Sequence, residues 1–302
     1  MRILITGSNG LLGQKMVYAL KADPEVELIA TARGENRLID HEGYEYSSMD
    51  ITDHDNVMAI VTQFKPDRII HGAAMTNVDA CETDREGCDL ANVTAVQNIV
   101  DAAEAVGAHL VHLSTDFIFD GKDGPYEEDA VPNPVSYYGL SKLKGEEIVM
   151  ASELEWAICR TVLVYGVVDN MSRSNFVLWA KGELEQGKNI NVVDDQFRSP
   201  TLAEDLAQGC ILASKQKANG VFNISGEDTD SILGLITTVA DHYGLDKTLI
   251  NPTKSDALGQ PAKRPPRTGF IIEKARKELG YEPHSFTEGI VIMENQLKGM
   301  TQ

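Results

Sequence analysis

Positive charge is scarce in this chain: 27 Lys and Arg stand against 46 Asp and Glu, a formal charge of −19 over 302 residues. A field of that sign repels nucleic-acid phosphates and anionic lipid, so neither is an expected partner, although one local basic pocket survives such a field. Only four cysteines occur, Cys81, Cys88, Cys159 and Cys210, and none form a Cys-x-x-Cys pair. Cys159 and Cys210 lie in apolar runs suited to buried thiols, and reduced cysteines in a cytoplasmic protein are expected. No apolar run reaches membrane-spanning length. The one at 3–5 is broken at once by Thr6 and Gly7, too short for a signal-peptide core, so no export or anchoring segment is expected. Internal repeats and low-complexity tracts are absent as well. No spacing of Cys, His and Asp suggests a bound metal, and His71 and His112, inside apolar strands, read as packing histidines.

What the sequence has is an alternation of short β-branched or apolar runs with helix-period segments, the pattern of strand and crossover helix in a parallel sheet. Strands are predicted over 2–6, 27–31, 44–47, 68–71, 109–114 and 156–164, and helices over 11–21, 53–64, 90–106 and 137–152. Each helix begins near a capping or turn residue such as Asn9, Thr52 or Ser136. The fold class is α/β: a doubly wound parallel-sheet Rossmann domain over 1–165. After Gly166 the alternation weakens, with helices predicted over 175–185, 202–214, 232–243 and 286–297. A smaller α/β substrate-binding lobe over 166–302 is expected, with segments at about 190–224, including a strand at 220–224, returning to the first domain.

The run Thr6-Gly7-Ser8-Asn9-Gly10-Leu11-Leu12-Gly13 follows a strand and opens a helix, the context a dinucleotide fingerprint requires; the bland alternative is an ordinary tight turn. Gly7 permits the turn, Gly10 lets the backbone approach a pyrophosphate, and Gly13 allows close helix packing, with helix N-terminal amides facing the negative charge. Beyond the second strand stands Ala30-Thr31-Ala32-Arg33, then Arg37, with no carboxylate at the strand end. Arg33 is placed to neutralise a 2′-phosphate, which favours NADPH over NADH, although Glu35 and Asp40 are near and Arg33 could be a solvated loop charge.

Of the adjacent tyrosines in Ser136-Tyr137-Tyr138-Gly139-Leu140-Ser141-Lys142, only Tyr138 has a lysine four residues on, where helical geometry puts both on one face. A neighbouring ammonium lowers a phenol's pKa towards neutrality, which suits proton transfer; a half-buried tyrosine beside a surface lysine is the alternative. The fifth strand ends in Ser114-Thr115-Asp116, at the sheet edge where open α/β folds bind ligands, so a hydroxyl there can donate to a reacting carbonyl. The same three residues also favour turns.

As a set these features resemble the extended short-chain dehydrogenase/reductases, and within them the dTDP-4-dehydrorhamnose reductase branch, over nearly the whole chain. The matching stretches include Gly72-Ala73-Ala74-Met75-Thr76 with Val78-Asp79 and Glu82, and Ser114-Thr115-Asp116-Phe117-Ile118-Phe119-Asp120-Gly121. Further on they include Tyr138-Gly139-Leu140-Ser141-Lys142 with Gly145-Glu146, Arg160-Thr161, Val164-Tyr165-Gly166, Asn175-Phe176, Asp195-Gln196, Pro200-Thr201 and Arg264-Pro265. The resemblance implies a catalytic group of Thr115, Tyr138 and Lys142 that reduces a deoxysugar C4 ketone. It implies cofactor contacts from Gly7, Ser8, Asn9, Gly10, Leu11, Gly13 and Arg33, from Asp50 and Ile51 near the adenine, and from Ala73, Ala74, Thr76 and Asn92, with Tyr138 and Lys142 also on the cofactor side. Asp116, Phe117, Asn175, Gln196, Arg198 and Arg264 are expected on the substrate side. A homodimer is carried as a further expectation. The same branch resembles the non-catalytic regulatory subunit of methionine adenosyltransferase, a binding protein rather than an enzyme, and fold alone does not separate the two.

One position separates chemistries within the superfamily, and the chain departs from the reductase pattern at others. Nucleotide-sugar dehydratases usually follow their Thr-Asp with a glutamate base; Phe117 stands here, which disfavours dehydration. Leu163 replaces a common tryptophan. Arg198 and Ser199 replace a small glycine-containing sequence, and Arg198 either binds a diphosphate or pairs with Asp194 at the surface. The run Lys263-Arg264-Pro265-Pro266-Arg267 is read as a diphosphate site or, alternatively, a solvated loop.

Overall fold

The computed structural model describes residues 1–170 and 174–300, apart from the Met300 side chain. The chain begins with strand β1 (Arg2–Thr6), helix α1 (Leu11–Leu20), strands β2 (Glu27–Ala32) and β3 (Glu45–Ser48) in succession, and helix α2 (His54–Phe64). Then follow β4 (Arg68–His71), α3 (Val78–Thr83), α4 (Arg85–Asp89), α5 (Ala95–Val106), β5 (His109–Thr115), α6 (Tyr137–Ala151) and β6 (Trp156–Thr161).

The second half holds β7 (Val164–Tyr165), α7 (Phe176–Glu185), β8 (Ile190–Val193), β9 (Phe197–Arg198), β10 (Thr201–Leu202), α8 (Ala203–Lys215) and β11 (Gly220–Asn223). It ends with β12 (Asp230–Ser231), α9 (Ile232–Tyr243), β13 (Ile250–Thr253), α10 (Glu273–Leu279) and α11 (Phe286–Met300).

Seven strands form one parallel sheet in the order β11-β6-β5-β4-β1-β2-β3. Its core follows from side-chain alternation: Ile3 and Ile5 face α1 and α8 with Met16, Val17, Leu206 and Cys210, while Leu4 faces α2, α5 and α6 with Val57, Ile99 and Val149. The strand order reverses between β1 and β4, which opens a crevice at their carboxyl ends, where such sheets bind ligands. Glu146 and Arg160 are buried and joined by two hydrogen bonds, 3.0 and 2.7 Å, which pin α6 to β6.

Past β6 the chain builds a second cluster from Tyr165, Val177, Leu235, Val239, Phe286 and Ile290, continued by Ala180, Leu184, Ile190 and Ile236 between α7, α9 and the β8–β13 pair. β11 lies instead in the large sheet, parallel to β6. The strand predicted over 156–164 stops at Thr161. Leu163 adopts φ +39°, its carbonyl accepts from the Thr201 amide at 3.3 Å, and Val164–Tyr165 pairs with β10. The helix predicted from 90 begins with a π turn, Leu90–Thr94. Helices α3 and α4 were not foreseen, although Asn77 and Asp84 cap them through hydrogen bonds of 3.0 and 2.9 Å.

Candidate active site

At the end of β1 the chain turns on Gly7, whose φ of +74° strains any residue with a side chain. A Cβ on Gly7 would also stand 3.0 Å from the Ala73 backbone beyond β4, so this turn closes the floor of the crevice. Gly13 lies over it: a Cβ there would come within 2.2 Å of the Gly7 carbonyl. Gly10 is the N-cap of α1 and no side chain caps it, so the first-turn amides beginning at Leu11 stay available to an anion. The Ser8 amide donates to the Thr31 carbonyl at 3.0 Å, and its buried hydroxyl has no partner among the described residues. Asn9 is not the cap, and its side chain is engaged by the protein. Its amide donates to the Glu35 carbonyl at 2.8 Å and accepts from the Arg37 amide at 2.9 Å, lashing the turn to the loop after β2.

On that loop Arg33 and Arg37 are exposed and make no ion pair among the described residues. Asp40 is held by Lys21. Asp50 accepts from the Thr52 hydroxyl at 2.7 Å and amide at 3.0 Å, which with the nearby Arg33 charge holds its carboxyl below the ordinary range. The Ile51 carbonyl accepts from Asn98 at 2.9 Å. Ala73 and Ala74 are half-buried beyond β4 and Thr76 is exposed. Asn92, expected to line the cofactor region, stands one layer behind it. Fully buried in the π turn, its side chain bonds the Met75 amide at 2.8 Å, the Met75 carbonyl at 3.0 Å and the Ser141 hydroxyl at 3.0 Å.

Thr115 ends β5, and Ser136 caps α6 through a 3.2 Å bond from the Gly139 amide, which sets Tyr138 and Lys142 one turn apart. Tyr137 is engaged elsewhere, donating to Asp89 at 2.8 Å. Tyr138 and Lys142 are both buried, 8% and 4% exposed, and the Tyr138 ring meets Phe117 edge to face with centroids 5.6 Å apart. The expected lowering of the phenol by Lys142 is not seen. Burial pushes the Tyr138 phenol well above its ordinary value, the Thr115 hydroxyl opposes this, and the Asp116 carboxyl adds to the rise. A phenol held that way stays protonated at neutral pH, the donor form. Burial lowers Lys142 to about 8, with Glu146 pulling the other way, so the ammonium persists at pH 7.

Several residues expected on the substrate side have partners within the protein. Asp116, only 2% exposed, faces protein: it accepts from the Thr115 hydroxyl at 3.0 Å and from Thr268, and Arg198 lies 3.9 Å away. Burial raises its carboxyl pKa, with Arg198 opposing. Arg198 is likewise buried. It donates to the carbonyls of Phe197 and Pro265, both at 2.7 Å, while Asp194 pairs with Lys254 instead. Arg264 is bound twice to Asp79, and Asn175 caps α7, accepting from Val177 and Leu178 at 3.1 Å. All four thus have polar atoms engaged by protein partners. Gln196 is buried and its side-chain amide has no partner among the described residues; Phe117 keeps a partly open ring. Thr268 and Asp79 were missed as partners because no local pattern joins residues so far apart.

Fold and site together define a Rossmann-type NAD(P)-binding oxidoreductase of the extended short-chain dehydrogenase/reductase kind. More narrowly, the chain belongs to the RmlD substrate binding domain family, whose model matches residues 1–298. It is 31% identical over 264 residues to methionine adenosyltransferase 2 subunit beta of Xenopus tropicalis, covering 85% of this chain and 77% of that one. It is 30% identical over 304 residues to dTDP-4-dehydrorhamnose reductase of Aggregatibacter actinomycetemcomitans, covering 96% and 97%. A crystal structure of dTDP-4-dehydrorhamnose reductase from Bacillus anthracis in complex with NADP superposes with a TM-score of 0.84 at 27% identity, covering 98% of this chain and 99% of that one. Among the described residues no helix is long and apolar enough to cross a membrane, and no cluster of His, Cys, Asp and Glu could hold a metal ion.

Proposed function

We propose that this protein uses NADPH to reduce the C4 ketone of a nucleotide-linked deoxysugar, dTDP-4-dehydrorhamnose first among candidates. The observation that carries the reading is the buried convergence of Thr115, Tyr138 and Lys142, with Tyr138 held protonated, beside a glycine turn shaped for a pyrophosphate. NADPH, when bound, supplies a hydride. Tyr138 gives its proton to the ketone oxygen, Thr115 orients that oxygen, and the Lys142 ammonium stabilises the phenolate left behind and holds the ribose next to the nicotinamide. Phe117, where a dehydratase has a glutamate base, disfavours dehydration. The orphan Ser8 hydroxyl, the uncapped start of α1 and the unpaired Arg33 and Arg37 fit a dinucleotide with a 2′-phosphate. The proposed division of labour assigns the cofactor to 1–165 and the sugar nucleotide mainly to 166–302, in a cytoplasmic homodimer that light scattering would detect.

Oxidation of NADPH followed with a panel of 4-keto sugar nucleotides tests this, with turnover expected on the dTDP-linked 4-keto-6-deoxy sugar. The 31% identity to the beta subunit favours a second reading, a dinucleotide-binding regulatory subunit. No turnover across the panel, together with a stable complex with a methionine adenosyltransferase catalytic subunit, would establish that reading instead.

A further inference from the structure

Lys142 is buried, yet no carboxylate among the described residues pairs with it. Glu146, one turn further along α6, has both oxygens occupied by Arg160. The remaining groups near Lys142 are Cys88 from α4, His112 from β5 and, behind it, His71 from β4. Of these, His112 offers an acceptor: its Nε2 lies 3.5 Å from the Lys142 Nζ, at the outer limit of a hydrogen bond. The His112 ring stacks on His71 with centroids 5.4 Å apart, and His71 Nδ1 is 2.8 Å from the Thr6 hydroxyl, which also accepts from the Ala73 amide at 3.2 Å. A column of neutral rings thus runs from the glycine turn to the lysine. Burial and the Lys142 charge together hold both imidazoles in the uncharged form, His71 at about 3.

We propose that His112 is a positioning residue for Lys142, anchoring the ammonium through an uncharged ring nitrogen so that it is fixed in place without being neutralised. A carboxylate in that position would also hold the lysine, but it would cancel the field at the phenol oxygen of Tyr138. A neutral imidazole supplies orientation and leaves the full charge directed at the phenol and the ribose side. The anchoring requires one tautomer: with Nε2 accepting, the proton sits on Nδ1, which is buried without a partner among the described residues. The catalytic meaning rests on the reductase reading, whereas the anchoring itself does not.

Nitrogen NMR of the histidine-labelled full chain reads the tautomer directly, and the Nδ1–H form is expected from pH 6 to 8; an Nε2–H form, or a charged ring in that range, would overturn the proposal. Carbon NMR of the lysine Cε, assigned by a Lys142→Arg control, reads the ionisation of Lys142 with no substrate present. Replacing His112 by Leu removes the acceptor and should move the Lys142 titration down by about one pH unit, the worth of one hydrogen bond to a charged group. His112→Gln keeps an acceptor at the ε position and should restore most of that shift, a rescue that a merely space-filling role would not produce. An unmoved Lys142 titration in His112→Leu sinks the proposal, as does failure of Gln to differ from Leu. If His112→Leu does not fold, the tautomer measurement on the unaltered chain still decides. Absence of turnover on every sugar would remove the reductase reading and leave these titrations readable.

Discussion

Arg264 and Asp79, 185 residues apart in the sequence, meet through two parallel hydrogen bonds of 3.2 and 2.8 Å, and the same carboxylate accepts the Ala262 amide at 3.1 Å. This bidentate pair moors the 262–267 loop to α3, and Arg264 holds Asp79 below the ordinary carboxylate range. Asp79→Ala and Arg264→Ala, measured singly and together by urea denaturation, should show a coupling energy of about 1 kcal/mol, as for a partly exposed pair of good geometry. Strict additivity would mean the contact contributes nothing.

Tyr138→Phe removes one oxygen from the candidate site while keeping the ring that meets Phe117. Turnover should fall by about 10³-fold, within the range general acid catalysis supplies, with NADPH affinity by fluorescence titration changed less than about threefold. Near-normal turnover would leave Tyr138 without its assigned role.

The free guanidinium of Arg33 beyond β2 should discriminate between cofactors. Arg33→Ala is expected to lower kcat/KM for NADPH by about tenfold and to leave NADH within a factor of about two, because only the 2′-phosphate loses a charged partner. Equal loss with both cofactors would place Arg33 elsewhere in the binding.

Glu146→Gln should cost about 3–5 kcal/mol in chemical denaturation, since it leaves the Arg160 guanidinium buried without its counter-charge. Glu146→Gln with Arg160→Met should recover a large part of that loss. A small effect of the single change would show that the pair is not desolvated.

Acid stability follows from the buried imidazoles. Their folded pKa values lie below the unfolded value of 6.5, so below that pH the unfolded chain binds more protons than the folded one. The stability these rings contribute is complete above 6.5 and is lost progressively as pH falls below it, for His71 down to its folded value of about 3, at about 1.4 kcal/mol per pH unit for each ring that stays neutral. Urea denaturation between pH 8 and 5.5 should show His112→Gln losing stability less steeply than the unaltered protein. Parallel slopes would mean that His112 is protonated in the folded chain.

Most of the first domain was legible because its signals are local. Ile3, Leu4 and Ile5 announce a strand buried on both faces, Gly7 announces the turn, and Ser136 with Tyr138 and Lys142 announces a capped helix bearing its reactive pair on one side. Asp116, Arg198, Arg264 and Asn175 were legible only as polar residues at the expected places. Whether such a residue meets a ligand or the protein depends on partners far along the chain, Thr268 for Asp116 and Asp79 for Arg264, and no periodicity encodes those. Similarly, the shift expected at Tyr138 comes from counting a neighbouring charge, whereas burial of the phenol, which no short pattern encodes, sets its direction.

The edge position of β11 bears on how the protein can be made. A nascent chain that has emerged only as far as Tyr165 carries six of the large sheet's strands, β1 to β6, and a bare β6 edge, with the partners of Ala157 to Arg160 not yet synthesised. That edge is a template for pairing with another chain until Gly220–Asn223 arrives, after the polypeptide has built α7 and α8. Fragments cut between the two halves should therefore aggregate rather than fold, and the sheet's last hydrogen bonds form only after most of the chain has left the ribosome.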